Sequence, residues 1–180
     1  KVEHLVNYLR SLDSPDDLDL AIRWLSGEAL PRRAGRRPLN IDDALIKRSL
    51  ISIPGVKPGR CQEISALQND LARTARIILQ EVFLSPKPFS LNDLDLFFKE
   101  MENMESSLGK ADLLSKRLFN LHPSECDLVV RILTGDLRIG LKEGLVEEAL
   151  GVAFGAGPTE IRHANMLTGD LGATAVLAKE

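Results

Sequence analysis

One glycine-rich turn combines backbone N–H groups with basic side chains, a combination that can bind phosphate. In LTGDLRIGLKEGLVEEAL, Gly135 suits the left-handed end of a helix, and Arg138 precedes Gly140 and Lys142, where a second helix is expected to begin. Glycine lets the backbone approach another surface, and a helix N terminus offers unpaired N–H groups with partial positive charge. The turn is therefore a candidate phosphate or groove contact, although a plain helix-turn-helix corner would use the same glycines.

Two further turns carry similar groups. SSLGKADLLSKRL places Gly109 and Lys110 at a helix start, with Ser107 as a hydroxyl donor. A nucleotide-binding P-loop is excluded there, because its pattern requires Ser or Thr after the lysine and a second glycine upstream. LTGDLGATA supplies Gly169 and Gly172 around the expected start of the last helix. We treat these residues as candidate phosphate or groove contacts as well.

Charge is strongly segregated along the chain. The total is −3, which by itself argues against a nucleic-acid partner, but residues 31–60 carry eight bases against two acids, a local balance of +6. Residues 81–108 carry six acids against two bases, a balance of −4. A basic face on an acidic body is typical of proteins that meet phosphate, although a solvated arginine-rich loop would give the same pattern. The candidate phosphate-binding bases of the first segment are Arg32, Arg33, Arg36, Arg37, Lys57 and Arg60.

The sequence contains no complete set of residues for a metal site, a disulfide framework or a nucleophilic active site. His4, His122 and His163 are far apart in sequence, and the two cysteines form no C-x-x-C pair, so neither a metal site nor a disulfide framework is indicated. No G-x-S-x-G nucleophile turn occurs. We therefore predict no catalytic residue, metal or cofactor in this chain.

The elements that must position these turns are helices. Apolar residues recur with a period of about 3.6, and SPDDLDLAIRWL opens with Ser14 as a cap and Pro15 at the first helical position. Similar signals stand at Ser90 and at Pro123, and the run from Ile64 to Val82 has the same period. Strand signals are absent. The sequence predicts an all-α fold of about ten helices joined by short Gly and Pro turns.

An internal repeat organises these helices. Residues 45–75 and 145–175, at an offset of 100, share nine identical residues, and IRWLSGE matches VRILTGD at an offset of 108. We expect one domain with two repeated halves, about 20–80 and 130–179, packed around a pseudo-two-fold axis. The segment 85–89, in which Pro86 and Pro88 disfavour helix, is the expected linker. A duplication retained only for packing would leave the same trace.

The motifs together resemble a known family. GKADLLSKRLF, PSECDLVVRILTGDLRIGLKEGLVEEAL and ANMLTGDLGATAVLAK are similar to the N-terminal DNA-binding domain of ATP-dependent DNA ligases, from about Leu5 to the end of the chain. The most specific element is the L-x-G-x-L-R-x-G-L turn, Leu133 to Leu141. Asp136 stands where some relatives carry a base, and Asn40 replaces an expected glycine.

This resemblance implies a non-catalytic domain that binds nicked double-stranded DNA through the minor groove and the phosphates, without sequence specificity. By position, Gly135, Arg138 and Gly140 match the groove-facing turn, and Gly109 with Lys110 matches a phosphate-binding turn. The K-x-D-G string of the ligase nucleophile is absent here. Ligation, ATP and Mg²⁺ would therefore belong to a parent enzyme active in replication, repair or recombination, whose catalytic domains would be this chain's partners.

One rival function stays open at this stage. A helical protein-interaction module could use the basic loop, the arginine-rich segment PRRAGRRP, to bind an acidic partner protein. Competition with bulk duplex DNA would distinguish this function from DNA binding, because DNA should displace only a DNA-binding mode. In either case we expect an intracellular monomer without a membrane span, cytoplasmic in a prokaryote and nuclear in a eukaryote.

Overall fold

The computed structural model describes residues 2–31, 39–82, 85–138 and 143–180, and within these ranges every regular element is a helix. The all-α prediction is confirmed, and eleven helices rather than about ten are found in the described residues. They are α1 Val2–Arg10, α2 Pro15–Leu25, α3 Asp43–Ile51, α4 Arg60–Gln68, α5 Leu71–Val82, α6 Leu91–Asn103, α7 Ser107–Phe119, α8 Pro123–Thr134, α9 Glu143–Phe154, α10 Pro158–Thr168 and α11 Leu171–Lys179. None of the described helices is long and apolar enough to cross a membrane.

The helix starts follow the capping signals in the sequence. Ser14 caps α2 by accepting a hydrogen bond from the Asp17 N–H, with Pro15 in the first turn. Ser90 and Asp93 form a reciprocal capping box at α6. The ends are local as well, since α8 stops at Thr134 and Gly135 adopts the left-handed conformation with φ 68°. Capping satisfies N–H groups that have no partner inside the helix.

The apolar run from Ile64 to Val82 is two helices. Asn69, with φ 45°, takes the left-handed conformation and ends α4, and the Asp70 side chain accepts a hydrogen bond from the Arg73 N–H at the start of α5. Periodicity continues across this break because both helices present apolar residues to a core, so period alone does not reveal the turn.

The structure forms two compact units. The first, within Lys1–Arg36 and Leu137–Glu180, contains α1, α2, α9, α10 and α11. In it α1 packs on α9, α2 packs on α11, and α10 contacts both α9 and α11. Its core includes Leu9, Leu18, Ile22, Leu150 and Ala175, each fully buried. Burying a leucine or isoleucine side chain stabilises the fold by about 1.5–3 kcal/mol.

The second unit, Arg37–Asp136, contains α3 to α8. In it α5 packs on α8 and α4, and α3 packs on α7. The proline-containing segment 85–89 is non-helical, as its sequence predicts, and it lies within this unit. The Lys87 N–H donates to the Asn120 carbonyl at 3.0 Å, and Arg117 lies over the Phe89 ring at 5.0 Å. These contacts hold the segment against the end of α7.

Helix bounds correspond between the two repeats. An offset of 100 relates α3, α4 and α5 to α9, α10 and α11, and an offset of 108 relates α1 and α2 to helices α7 and α8. Each compact unit therefore combines the first two helices of one repeat with the last three of the other, and α6 is the additional helix of the second unit. The left-handed turns also match, since Gly27 corresponds to Gly135 and Gly55 to Gly155.

An arginine and an aspartate one turn earlier in the same helix also recur at the offset of 108. In the second unit, Arg131 pairs with Asp127 at 2.9 Å and with Asp70 at 3.2 Å. In the first unit, the equivalent Arg23 pairs with Asp19. Both arginines are largely buried, so each needs its carboxylate partner to compensate for lost hydration. We interpret these charges as part of the packing of each unit.

Candidate nucleic-acid interface

Part of the predicted interface lies outside the described residues. This applies to the arginines of the basic loop and to two residues of the glycine-rich turn, namely Arg32, Arg33, Arg36, Arg37, Gly140 and Lys142. The remaining candidates are placed as follows, each within its own compact unit.

The turn after α8 has the expected local conformation. Gly135 is exposed and left-handed, and its N–H donates to the Ile132 carbonyl at 3.2 Å. Arg138, at the start of the second segment of the first unit, is exposed and has φ 49°. A positive φ is uncommon for a residue other than glycine and costs of order 1 kcal/mol or more. A strained, exposed arginine is the strongest local indication of function among the candidates.

The turn before α7 uses its donors internally. Ser107 is exposed, but the Gly109 N–H already donates to the Ser106 hydroxyl at 3.2 Å. Lys110 is buried, with 7% of its surface exposed, and its ammonium donates to the Leu39 carbonyl at 2.7 Å. Of the three residues predicted to form a phosphate-binding turn, only Ser107 lies open to solvent.

Lys57 and Arg60 lie on either side of a turn in the second unit. Lys57 is exposed. The Arg60 guanidinium pairs with Glu81 at 2.6 Å and with Glu63 at 3.0 Å. Its hydrogen bond to Glu81 raises the pKa of Arg60 and lowers the pKa of Glu81. Because two carboxylates hold this guanidinium, a phosphate would have to compete with them, and Lys57 is the better placed of the two bases.

The last turn separates the two glycines assigned to it. Gly169 is exposed and left-handed, with φ 64°, and no atom of the described residues lies within 4 Å of the position that a Cβ atom would take. Gly172 is buried in α11, where a Cβ atom would clash with the Asp19 carboxylate and lie 2.8 Å from the Asp19 carbonyl oxygen. Its N–H donates to the Asp170 carboxylate. Gly172 thus permits close packing of α11 on α2, whereas Gly169 can approach a partner.

The described residues contain neither a candidate metal site nor a reactive thiol. No group of three or more His, Cys, Asp or Glu residues there could hold a metal ion. Cys61 and Cys126 are free and buried, and burial raises the pKa of both thiols, which keeps them protonated and unreactive.

Sequence reasoning missed one cluster of cations. Lys87 in the segment 85–89 and Lys116 with Arg117 at the end of α7 lie around one pocket of the second unit. They are separated by almost thirty residues in the chain, and no spacing rule connects a proline-containing segment to a helix end. The hydrogen bond from Lys87 to Asn120 and the stacking of Arg117 on Phe89 bring them together.

Comparison with known proteins decides the family. The profile of the family described as "DNA ligase N terminus" matches residues 1–151. The chain belongs to this family. It is 32% identical to a probable DNA ligase of Opitutus terrae, 30% identical to a probable DNA ligase of Koribacter versatilis, and 31% identical to DNA ligase 2 of Methanosarcina acetivorans.

These alignments cover 99%, 99% and 92% of the chain but only 21%, 31% and 31% of the three ligases. The chain thus spans between about a fifth and a third of the length of these relatives. The family resemblance inferred from the sequence motifs is confirmed.

Proposed function

We propose that this member of the DNA ligase N-terminus family binds nicked double-stranded DNA through phosphates and the minor groove, without sequence specificity. Arg138 carries the proposal, because it is a basic, exposed residue held at a positive φ within the most specific motif of the family resemblance. Backbone strain at an exposed position is typical of binding sites.

The remaining open candidates support the same role. Gly135 and Gly169 are exposed left-handed glycines, and Lys57 and Ser107 are exposed donors. A ligase must seal nicks in any sequence, so contacts with phosphate and sugar suffice and base-edge readout is unnecessary. We include the basic-loop arginines in the proposal on the strength of the +6 charge of residues 31–60.

In this proposal, the ligation reaction itself takes place in other domains. The sequence lacks the K-x-D-G string that would carry the nucleophilic lysine. We infer that this domain supports nick sealing in replication, repair or recombination by holding DNA for the catalytic domains of a longer ligase, and that ATP and Mg²⁺ act in those domains. We further propose that the domain works inside the cell as a monomer.

Fluorescence anisotropy with a labelled nicked duplex tests the proposal. The logarithm of affinity should fall against the logarithm of salt concentration with a slope of about −0.9 for each phosphate neutralised. Arg138→Ala should weaken binding to all DNA sequences alike. It should also reduce the magnitude of that slope by about 0.9, the value expected for one lost phosphate contact. Arg76→Ala removes an exposed arginine on α5 outside the candidate set and serves as the matched control.

Two results would overturn the proposal. An affinity that does not change with salt concentration would show that the domain does not bind DNA through its phosphates. An Arg138→Ala effect confined to one DNA sequence would replace backbone binding by direct base readout.

A further inference from the structure

A pocket in the second unit has a character unlike that of the DNA-binding candidates. It has a volume of about 350 Å³ and lies between the segment 85–89, the start of α6 and the end of α7. Part of its wall is apolar, formed by Pro88, Phe89 and Leu113. The rest is basic, formed by Lys87, Lys116 and Arg117.

None of the three cations forms a salt bridge with another described residue, although the charge of Arg117 interacts with the Asp93 carboxylate. Asp93 is the only acid among the described residues of the wall, and its carboxylate accepts hydrogen bonds from the Ser90 N–H at 2.9 Å and the Ser90 hydroxyl at 2.7 Å. Lys87 and Lys116 are exposed, and Arg117 is half-buried over the rings of Phe89 and Phe97. Their combined field therefore favours an anion at the mouth of the pocket.

The pocket is held in shape by its own contacts. The Lys87 N–H binds the Asn120 carbonyl at 3.0 Å, and the Asn120 amide binds the Lys116 carbonyl at 2.7 Å. Arg117 stacks on Phe89 with 5.0 Å between the guanidinium carbon and the ring centroid. A preformed pocket loses little conformational entropy when it is occupied, and that loss is a main cost of binding.

Size, sign and polarity together select the occupant. A cavity of about 150 Å³ already holds a benzene ring, so this pocket can take an apolar side chain together with adjacent main chain. A DNA backbone offers only sugar rings between charged phosphates, and no apolar side chain that could extend into the space beside Phe89 and Leu113.

We propose that this pocket binds an acidic peptide segment of a partner protein, with one apolar side chain against Phe89 and Leu113 and flanking carboxylates on Lys87, Lys116 and Arg117. Arginine and lysine clusters recognise acidic motifs in this way, and the aromatic wall adds the contact that a polyanion without an apolar group lacks. The pocket lining shares no residue with the proposed DNA contacts.

The experiment titrates the isotope-labelled 180-residue chain with a short synthetic peptide that has one phenylalanine among glutamates. A second peptide replaces the phenylalanine by serine, and a third replaces the glutamates by glutamines. We expect amide shifts confined to residues 85–93 and 113–121, and an affinity about tenfold higher for the first peptide than for either control. Lys87→Glu should weaken its binding at least about fivefold, because charge reversal there adds repulsion without touching the core.

Arg48→Ala is the matched variant, since it removes an exposed base of the same unit outside the pocket and should leave peptide affinity unchanged. Equal binding of the three peptides, or shifts elsewhere in the unit, would overturn the proposal. A nicked duplex that displaces the peptide from the same residues would also overturn it and assign the pocket to the DNA interface. If the unchanged protein binds none of the three peptides but still binds DNA with the expected salt dependence, this site is rejected and the proposed function stands.

Discussion

The ammonium of Lys110 donates a hydrogen bond to the carbonyl oxygen of Leu39 at 2.7 Å. Lys110 is in the first turn of α7, and Leu39 immediately follows the arginine-rich segment. The lysine that the family resemblance assigns to phosphate binding therefore connects α7 to Leu39, next to the arginine-rich segment in sequence. It supports this part of the second unit rather than facing a ligand in the structure.

Replacing Lys110 tests that structural role. Lys110→Met keeps the aliphatic stem and leaves the Leu39 carbonyl without its charged donor, so we expect a loss of about 1.5–3 kcal/mol in the free energy of unfolding. Urea denaturation followed by circular dichroism measures it. Lys116→Met, at an exposed position of the same helix, should change the free energy by less than about 0.5 kcal/mol. Equal effects of the two substitutions would show that the Leu39 contact contributes nothing.

Glycine substitutions in two helices should act in opposite directions. Gly172→Ala places a Cβ atom 2.8 Å from the Asp19 carbonyl oxygen, so we expect a loss of about 1–3 kcal/mol in stability as α11 moves away from α2. Gly144→Ala, in the first turn of α9, meets no atom of the described residues within 4 Å and should stabilise by up to about 0.5 kcal/mol, since alanine favours helix over glycine. Thermal unfolding of both variants measures the difference. A neutral Gly172→Ala would mean that the close approach of α11 to Asp19 is not needed.

The exchange of helices between repeats predicts which fragments fold. The separate halves 1–82 and 90–180 should each lack a cooperative unfolding transition, because the core of each unit draws on both halves. Residues 37–136 contain every helix of the second unit and should fold as one piece. Circular dichroism during thermal unfolding distinguishes these cases.

Trp24 provides a specific probe for the first unit. It is the only tryptophan, lies in α2 and has 5% of its surface exposed. Its fluorescence should be that of a solvated indole in the fragment 1–82 and shift to shorter wavelength when 90–180 is added. A buried indole in 1–82 before any addition would show that the first half folds by itself.

The capping box at α6 predicts how the Asp93 carboxyl group titrates at acid pH. Hydrogen bonds from the Ser90 hydroxyl and N–H lower the pKa of Asp93 below its ordinary value of 3.8. A lowered folded-state pKa stabilises the protein above the unfolded-state value, and this contribution is lost as pH falls through the folded-state pKa. Ser90→Ala should raise the pKa of Asp93 toward 3.8, followed through its carboxyl carbon shift. Ser106→Ala, at the cap of α7, should leave the Asp93 titration unchanged.

Local signals predicted much of the fold. Ser14, Ser90 and Gly135 mark helix boundaries in the sequence, and the structure places boundaries there. Capping and left-handed conformations depend on residues within one turn of each other, so the sequence of that turn is sufficient. The break at Asn69 was missed because asparagine adopts the left-handed conformation less obviously than glycine.

The candidate site was predicted less completely, because exposure depends on distant residues. Lys110 and Arg60 are basic residues at helix starts, and nothing near them in sequence shows that Leu39 and Glu81 take up their charges. Gly172 follows the same Leu-Thr-Gly-Asp pattern as an open turn, yet Asp19 fills the space beside it.

The sequence by itself determined the helical class, several helix boundaries, the repeat and the family, since these depend on periodicity, local conformation and aligned motifs. The tertiary structure decided how the repeats combine into units, which basic side chains stay open to solvent, and where Lys87, Lys116 and Arg117 meet. The physical reason is that packing joins residues far apart in the chain, and the burial and charge of each partner then set what a given lysine, arginine or glycine can do.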